Sequence, residues 1–481
     1  MIDVAIAGYG PTGATLANLL GMLGLSVAVF ERDPGAHSAP RAVHFDGEVM
    51  RVFETAGLAR EILSVVRPAD GAHFVNAAGR IMLELKPKAE GVHGWANDYT
   101  FFQPHLEKAL RQGVKRFASV QIFTGHEVSS ITTAPDYAQF SVTDPAGVTR
   151  IEQARWLIGC DGARSLAREA IGSNLIDMGS HQSWMVVDVE LERDVRLPEK
   201  TTQYCDPERP VTYVGVTGRR RRWELMLVAG DDPEEILRED RLWALLAPWI
   251  KPGDACIERC AVYTFHALLA ERWRRGRLLV AGDAAHQMPP FLGQGMCAGI
   301  RDAANLAWKL GQVITAGRDD ALLDTYQSER EAHVRVFIET AIRLGGIIQT
   351  LDPAVAADRD RRFEQQGTQE IVTLSPPLGP GAHDGGAPCG EIFPQLLLAD
   401  GTRLDAAIGA YRFALLAKPA LIDSALRSRC EQANIALIGA DATVAAWLAR
   451  ERALAVMLRP DRYVQTLARE AADLDRLFAH A

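Results

Sequence analysis

The sequence predicts an α/β protein: a Rossmann-like dinucleotide-binding domain, a β-sheet domain inserted into it, and a small α/β domain at the C-terminus. Three observations predict this. The chain opens with a strand, a glycine turn and an apolar helix; short apolar runs that end in glycine turns with acidic residues recur far downstream; and a stretch of alternating, β-branched and aromatic segments lies between them.

The opening reads as strand Asp3–Ala7, a helix from Pro11 to about Leu23, and strand Ser26–Glu31, the βαβ pattern of a parallel sheet. Arg155–Cys160 and Arg277–Ala281 look like returns to the same sheet, with their carboxyl ends at a ligand crevice. The inserted segments Ser183–Glu190, Thr201–Cys205, Val211–Val216 and Trp223–Val228 have strand character, separated by turn signals at Asp206-Pro207 and Gly218. Helical periodicity over Gly299–Leu310 and Ala321–Leu344 closes the first unit near Gly345–Gly346. Domain boundaries follow: 1–72, 100–180 and 270–345 for the nucleotide-binding domain, 73–99 and 181–269 for the inserted sheet, a linker at 346–390 rich in proline and glycine near its end, and 391–481 for the last domain. In that last domain, apolar runs at Phe413–Leu416, Ile435–Ile438 and Leu454–Leu458 alternate with helical segments, and no C-x-x-C pair is present.

Composition narrows the class. A length of 481 residues exceeds one ordinary domain of about 100–200, while 48% hydrophobic and 23% charged residues are globular values. A net charge of −9 gives no general attraction to nucleic acid, and the basic cluster Arg219–Arg222 reads as a solvated turn. No apolar run approaches the roughly 18 residues of a membrane span, and no basic segment precedes Ile2–Ala7, so a cytoplasmic protein is expected. The seven cysteines are scattered and odd in number, as for reduced thiols. Cys256 and Cys260 are close, but no second Cys/His pair completes a metal site, and no metal is expected.

Three motifs carry chemistry. In Gly8-Tyr9-Gly10-Pro11-Thr12-Gly13 the first glycine permits a tight turn, the second admits a pyrophosphate, and the third lets helix pack on sheet. Glu31, at the end of the next strand, can accept both hydroxyl protons of an adenosine ribose and would repel a 2′-phosphate, which favours FAD or NAD over NADP at this site. The second motif is Cys160-Asp161-Gly162-Ala163-Arg164-Ser165 with Arg168 beyond it; its bland explanation is an N-capped helix, with Asp161 or Ser165 as the cap. The third is Gly282-Asp283-Ala284-Ala285-His286, followed by Pro289-Pro290 and Gly293-Gln294-Gly295, a loop able to bring bare amides against a flat ring.

These three signatures, in this order, resemble the class A FAD-dependent aromatic monooxygenases of the p-hydroxybenzoate hydroxylase type, over roughly residues 1–345. Pro40-Arg41-Ala42, Gln103-Pro104, Cys205-Asp206-Pro207-Glu208-Arg209-Pro210 and Arg222-Trp223-Glu224 resemble the 3-(3-hydroxyphenyl)propionate hydroxylase branch more narrowly. The C-terminal part is similar to the thioredoxin-like domain of that branch, without its redox cysteines.

The resemblance implies roles for particular residues. Glu31, with Arg32 beside it, would serve the adenosine ribose; Arg41 and Gln103 the diphosphate or ribityl region; and Asp283 a ribityl hydroxyl. Asp161, Gly162 and Arg164 would serve both tightly bound FAD and a transient NADH or NADPH, since the chain holds no second glycine fingerprint. Pro289 would face the reactive flavin edge, next to Pro290, with Gly293, Gly295 and the Met296 amide at the pyrimidine side. Cys297 stands where many relatives carry asparagine.

The implied reaction reduces FAD with NAD(P)H, adds O₂ at the flavin C4a carbon as a hydroperoxide, and transfers the terminal oxygen to a ring position beside a phenol. Candidate pocket residues are Tyr204, Tyr213, His73, Met226 and Phe291, with His286 as a polar contact; a half-buried strand tyrosine or a lone histidine is also an ordinary core residue. The expected substrate is a small aromatic such as a 3-hydroxyphenylalkanoate. A bicyclic or polyketide phenol, or an oxidase or dehydrogenase reaction on the same fold, is the alternative, and a homodimer is compatible with the resemblance.

Overall fold

The computed structural model describes residues 1–35 and 41–478; Pro40 of the Pro40-Arg41-Ala42 motif lies outside them. Strand Ile2–Ala7 is the centre of the first sheet, buried from Val4 onward, and pairs in parallel with Val27–Glu31 on one side and Thr149–Gly159 on the other. Parallel pairing continues outward to Val120–Thr124 and to Leu278–Val280. The strands Ala138–Thr143 and Glu127–Thr133 add antiparallel to the long Thr149–Gly159 strand. The registers align Ala7 with Phe30 and Gly159, and Gly159 with Val280, so four carboxyl ends open on one edge. Buried on both faces, the central strands Ile2–Ala7, Val27–Glu31 and Leu278–Val280 are near-continuous apolar runs, as parallel sheets require.

Helix Pro11–Met22 crosses between the first two strands, and helix Gly295–Thr315 packs along it. Most residues of Gly295–Thr315 are buried, including Arg301, Asp302 and Lys309, because the first domain covers one side and the C-terminal domain the other.

The inserted domain is a nine-stranded sheet in the order His286–Gln287, Ala255–Ala270, Leu175–Leu191, Arg220–Met226, Val211–Gly215, Thr201–Cys205, Ala72–Asn76, Ile81–Leu85, Gln369–Glu370. Two of its strands are far longer than their apolar runs announce, because their solvent-side residues are polar. The region 346–390, read as linker, is partly built: Asp352 caps helix Pro353–Gln366, and Gln369–Glu370 forms the edge of the inserted sheet. Helix Asp324–Ile348 also runs past the glycine pair at 345–346 before it stops.

The C-terminal sheet runs Ala436–Gly439, Ala414–Ala417, Ala455–Leu458, Val464–Ala468, with the first pair parallel and the others antiparallel. That order, with helices Ser424–Gln432 and Ala442–Arg450 between the strands, is thioredoxin-like. Among the described residues no helix is long and apolar enough to cross a membrane.

Candidate active site

The glycine turn after Ile2–Ala7 is tight at its two ends and open in the middle. Gly8 has φ +99°, and a Cβ there would lie 2.3 Å from the Cys160 carbonyl oxygen; a Cβ on Gly13 would lie 2.2 Å from the Gly8 oxygen. A Cβ on Gly10 meets nothing within 4 Å. The outer two glycines therefore close the turn against its neighbours, and the middle one keeps a flat approach to the N-terminus of helix Pro11–Met22, which no side chain caps. Thr12 is wedged on the other side, where added Cβ atoms at Gly282 and Gly299 would come within 2.8 and 2.3 Å of its hydroxyl. This contact ties the first motif to the third.

Glu31 accepts from the Tyr9 amide at 2.7 Å and from the Asp33 amide at 2.9 Å, which fixes its carboxylate at the strand end. Arg32 and Arg164 are exposed. Gln103 is buried and does not itself present a group outward: its Oε1 accepts from the Arg41 and Ala42 amides at 2.6 and 2.8 Å, and its Nε2 donates to Glu107. It positions Arg41, whose side chain is exposed.

In the second motif Ser165 is the helix cap, accepting from the Arg168 amide at 2.9 Å, and Asp161 accepts from the Ala167 amide. Arg168 is buried and donates to the carbonyls of Ala284 and Ala163 at 3.0 and 2.8 Å, so it stitches the second motif to the third. Among the described residues the other Asp161 oxygen is buried without a hydrogen-bond partner, and burial raises this carboxyl above its usual range. A Cβ on Gly162, φ +78°, meets nothing within 4 Å.

In the third motif Asp302 receives the Gly282 amide at 3.0 Å, His286 Nε2 at 2.6 Å and Arg330 at 2.9 Å. His286 is 1% exposed and lies beside Trp273, ring centres 5.4 Å apart. The expectation of a polar pocket contact at His286 therefore fails: it is a buried strut. Asp283 is accessible, yet crowded enough that loss of water raises its carboxyl, against the pull of His286 and Arg41. Pro289 is buried at the start of the turn Pro290–Leu292, and Gly293 has φ +64° with its Cβ position 2.7 Å from His44 Nδ1. Gly295 and Met296 begin the long helix, which has no side-chain cap. Cys297 is buried with its thiol pushed well up by burial, so it is not a reactive thiolate.

The inserted sheet turns one face toward these loops. Trp184 pairs with Met226 in register, and Trp184 meets Phe291 edge to face at 5.8 Å; two steps further along, Arg222 donates to the Arg41 carbonyl at 2.7 Å. Met226 and Phe291 come together here, joined by Phe74 and Leu344 in one apolar cluster. Tyr204, Tyr213 and His73 do not. Register places them on the opposite face: Tyr213 packs tilted against Trp223 with ring centres 5.3 Å apart, the Tyr204 hydroxyl accepts from Trp249, and His73 bonds Glu84 and Lys200. Alternation along a strand sets the face, and one residue of offset is enough to reverse it.

The geometry adds His44, Arg301 and Asp188, which were not singled out from the sequence, and gives partners to Gln294, Arg222 and Glu224 of the motifs. His44, at the start of strand His44–Asp46, pairs with Asp98 at 2.8 Å beside Gly293; burial opposes its protonation, but the Asp98 carboxylate prevails and its pKa is raised. Arg301 joins Gln294 to Asp46 and Glu48 at 3.0, 2.5 and 2.7 Å, which fixes the loop end to the first domain. Asp188, Arg222 and Glu224 form a buried polar stripe on the inward sheet face. Polar residues alternating with Trp223 and Leu225 were the available signal for the last group.

Comparison with known proteins gives the family and the fold. Residues 1–341 match the FAD binding domain family. The chain is 37% identical over 98% of its length to a probable NADH-specific resorcinol 4-hydroxylase of Rhodococcus jostii, 93% of which is covered. The chain belongs to the FAD-dependent aromatic hydroxylases. Also similar to this hydroxylase, at 32% identity over 96% of the chain and 93% of the relative, is a 3-(3-hydroxy-phenyl)propionate/3-hydroxycinnamic acid hydroxylase of Burkholderia vietnamiensis. Its fold matches the flavin-dependent monooxygenase PieE in complex with FAD and substrate, with TM-score 0.84 and 21% identity over 99% of this chain and 98% of the other. A ternary complex of aklavinone-11 hydroxylase gives the same TM-score and identity over 100% and 98%.

The residues present fit FAD. An open glycine, an uncapped helix end, a fixed carboxylate at a strand end, an Asp161 oxygen buried without a partner among the described residues, and an accessible Asp283 all follow the carboxyl ends of neighbouring parallel strands.

Proposed function

We propose that this hydroxylase consumes NADH and O₂ to place one oxygen atom on a phenolic ring, ortho to an existing hydroxyl. The balance is NADH, a proton, O₂ and the phenol going to NAD⁺, water and the catechol-type product. The observation that carries this reading is the contact of the Pro289–Gly293 loop, through Phe291, with the inward face of the inserted sheet, which sets an apolar wall beside the loop that would meet the flavin. The preference for NADH is supported by the name of the Rhodococcus relative.

FAD, when bound, supplies the reduction by nicotinamide and the activation of oxygen. The chain's own residues position and shield. Glu31 would hold the adenosine ribose, Gly10 and the adjoining helix end the diphosphate, Asp283 and Arg41 the ribityl region, and the Gly295 and Met296 amides the pyrimidine edge. Pro289 would face the reacting edge of the ring. Phe291, Trp184 and Met226 form the apolar wall that keeps water from the reacting atoms.

The test is NADH oxidation and oxygen uptake by the yellow protein against a panel of phenols, with products made under isotopically labelled O₂. The expected result is phenol-stimulated NADH consumption and one labelled oxygen in the product. NADH oxidised to peroxide alone, with no oxygenated product from any phenol, would overturn the proposal.

A further inference from the structure

The small sheet beside the flavin loop carries an ion cluster on one face. In the antiparallel pair of His44–Asp46 with Asp98–Phe101, His44 stands opposite Thr100 and Asp46 opposite Asp98. Opposed residues, and residues two apart along a strand, share a face, so these four lie on the side away from the stacked Phe45 and Tyr99 rings. His44 Nε2 meets Asp98 at 2.8 Å. The other side of the ring abuts Gly293, where a Cβ would come within 2.7 Å of Nδ1 and 3.1 Å of the ring carbon Cγ. The loop therefore rests on the imidazole just before helix Gly295–Thr315 begins.

Each element packed around this ring contributes a titratable or charged group. Its own strand holds Asp46, the facing strand Asp98, helix Gly47–Thr55 Glu48, helix Gly295–Thr315 Arg301 and the Cys297 thiol, and the loop before Asp98 holds His93. Arg301 is committed to Asp46 and Glu48 at 2.5 and 2.7 Å, and burial pushes His93 toward its neutral form. Asp98 is buried, its ion-pair partner is His44, and its second oxygen has no hydrogen-bond partner among the described residues. Burial opposes a proton on His44, but Asp98, with Asp46 and the Gly293 backbone, outweighs it and raises the pKa. The imidazole keeps 20% of its surface exposed, so it exchanges protons with solvent. Loss of that proton leaves Asp98 an unpaired interior carboxylate beside Asp46, a costly arrangement.

Resting on the flavin site proposed above, we infer that His44 and Asp98 are a positioning pair for the flavin loop: the protonated ring holds Gly293 in place, and the hold on FAD weakens as that proton leaves. An imidazolium donates from both nitrogens, and here Nε2 serves Asp98 while Nδ1 faces the Gly293 backbone. Gly295 and Met296, assigned to the pyrimidine edge, follow two and three residues later, so a displaced Gly293 displaces their amides. His44 acts through the loop and not on the substrate. The sign follows from linkage. If flavin binding favours the protonated ring, it raises the His44 pKa and takes up protons; affinity is then full at low pH and is lost as pH rises above the ordinary histidine value of about 6.5.

The experiment titrates FAD into the flavin-free full chain by fluorescence quenching from about pH 6 to 9, for wild type, His44→Gln and Asp98→Asn. Calorimetry in two buffers of different ionisation enthalpy counts the protons taken up. The wild-type Kd should rise about 10-fold over this range, within the linkage limit of about tenfold per pH unit for one proton, with a fraction of a proton taken up on binding. His44→Gln should bind FAD more weakly at low pH and show a flat profile that meets the wild-type curve at high pH. Asp98→Asn keeps an acceptor for Nε2 but not the charge, so its affinity should fall at a pH about one unit lower than in wild type. A merely structural role would weaken binding by the same factor at every pH. The inference is overturned if wild-type affinity is constant with no proton taken up, or if the His44→Gln curve runs parallel to wild type. If neither variant folds, the wild-type profile and proton count decide. If FAD does not bind at all, the flavin site falls and this inference with it; the expected profile without hydroxylation of any phenol would support the inference and overturn the functional proposal alone.

Discussion

Gly10 and Gly13 are alike in sequence and opposite in constraint. A side chain at Gly13 would strike the Gly8 carbonyl, whereas one at Gly10, φ −72°, points into open space. Gly10→Val should therefore leave the flavin-free protein's melting temperature within a degree or two and weaken FAD at least about 100-fold, roughly 2.7 kcal/mol. Gly13→Val should lower the melting temperature of the flavin-free protein itself, by an amount typical of backbone overpacking, about 1–3 kcal/mol or more. Melting curves with and without added FAD separate the two. Equal loss of stability in both variants would mean that Gly10 is a packing glycine, and the pyrophosphate assignment would fall.

The helix Gly295–Thr315 is the element on which the site depends. Its first turns carry Arg301, which holds the Gln294 end of the loop, and Asp302, which gathers Gly282, His286 and Arg330. Burial would push the Asp302 carboxyl up, but His286 and Arg330 outweigh it and bring it down to about 2. Asp302→Asn leaves Arg330 without its charge partner in the interior, a change that typically costs about 3–5 kcal/mol, and it loosens the turn that presents Asp283. Chemical denaturation should show that loss, together with weaker flavin retention. Much of this helix was legible, because its apolar spacing is local, and so were the βαβ opening and the glycine fingerprint. The faces of the inserted strands were not: whether Tyr213 or Thr212 points inward depends on register with Trp223 and Glu224, which no local pattern specifies. Helix Pro353–Gln366 escaped for another reason, since it buries little beyond Ala356 and Arg359 and so shows almost no apolar periodicity.

At the scale of the whole molecule, the C-terminal domain lacks redox cysteines but is fastened to the flavin domain by buried ions. Glu329 receives Lys309 at 2.8 Å, Asn305 at 2.7 Å and Arg459 at 3.0 Å; Asp405 receives Arg51 and Arg462; and the Tyr463 hydroxyl donates to Glu48 at 2.8 Å. These contacts back the long helix, so the domain braces the flavin loop from behind. Burial alone would raise the Glu329 carboxyl, but Arg459 and Lys309 outweigh it and hold it below the ordinary carboxylate range; Asp46, buried against Arg301, is likewise drawn down to about 2. The sign follows from linkage. A carboxyl whose folded pKa is depressed contributes stability that is fully present above its unfolded pKa of about 4 and is lost as pH falls toward the folded value. The wild-type melting temperature should therefore drop steeply below pH 4. Glu329→Gln should melt lower at pH 7, where Lys309 and Arg459 are left unbalanced, and its curve should approach the wild-type curve as pH is lowered from 4 to 2, since acid removes from wild type the charge the variant already lacks. Limited proteolysis at pH 7 should release the C-terminal domain faster from the variant. Parallel melting curves across that pH range would show that Glu329 does not carry the acid sensitivity, and the brace would then have to rest on the Asp405 cluster instead.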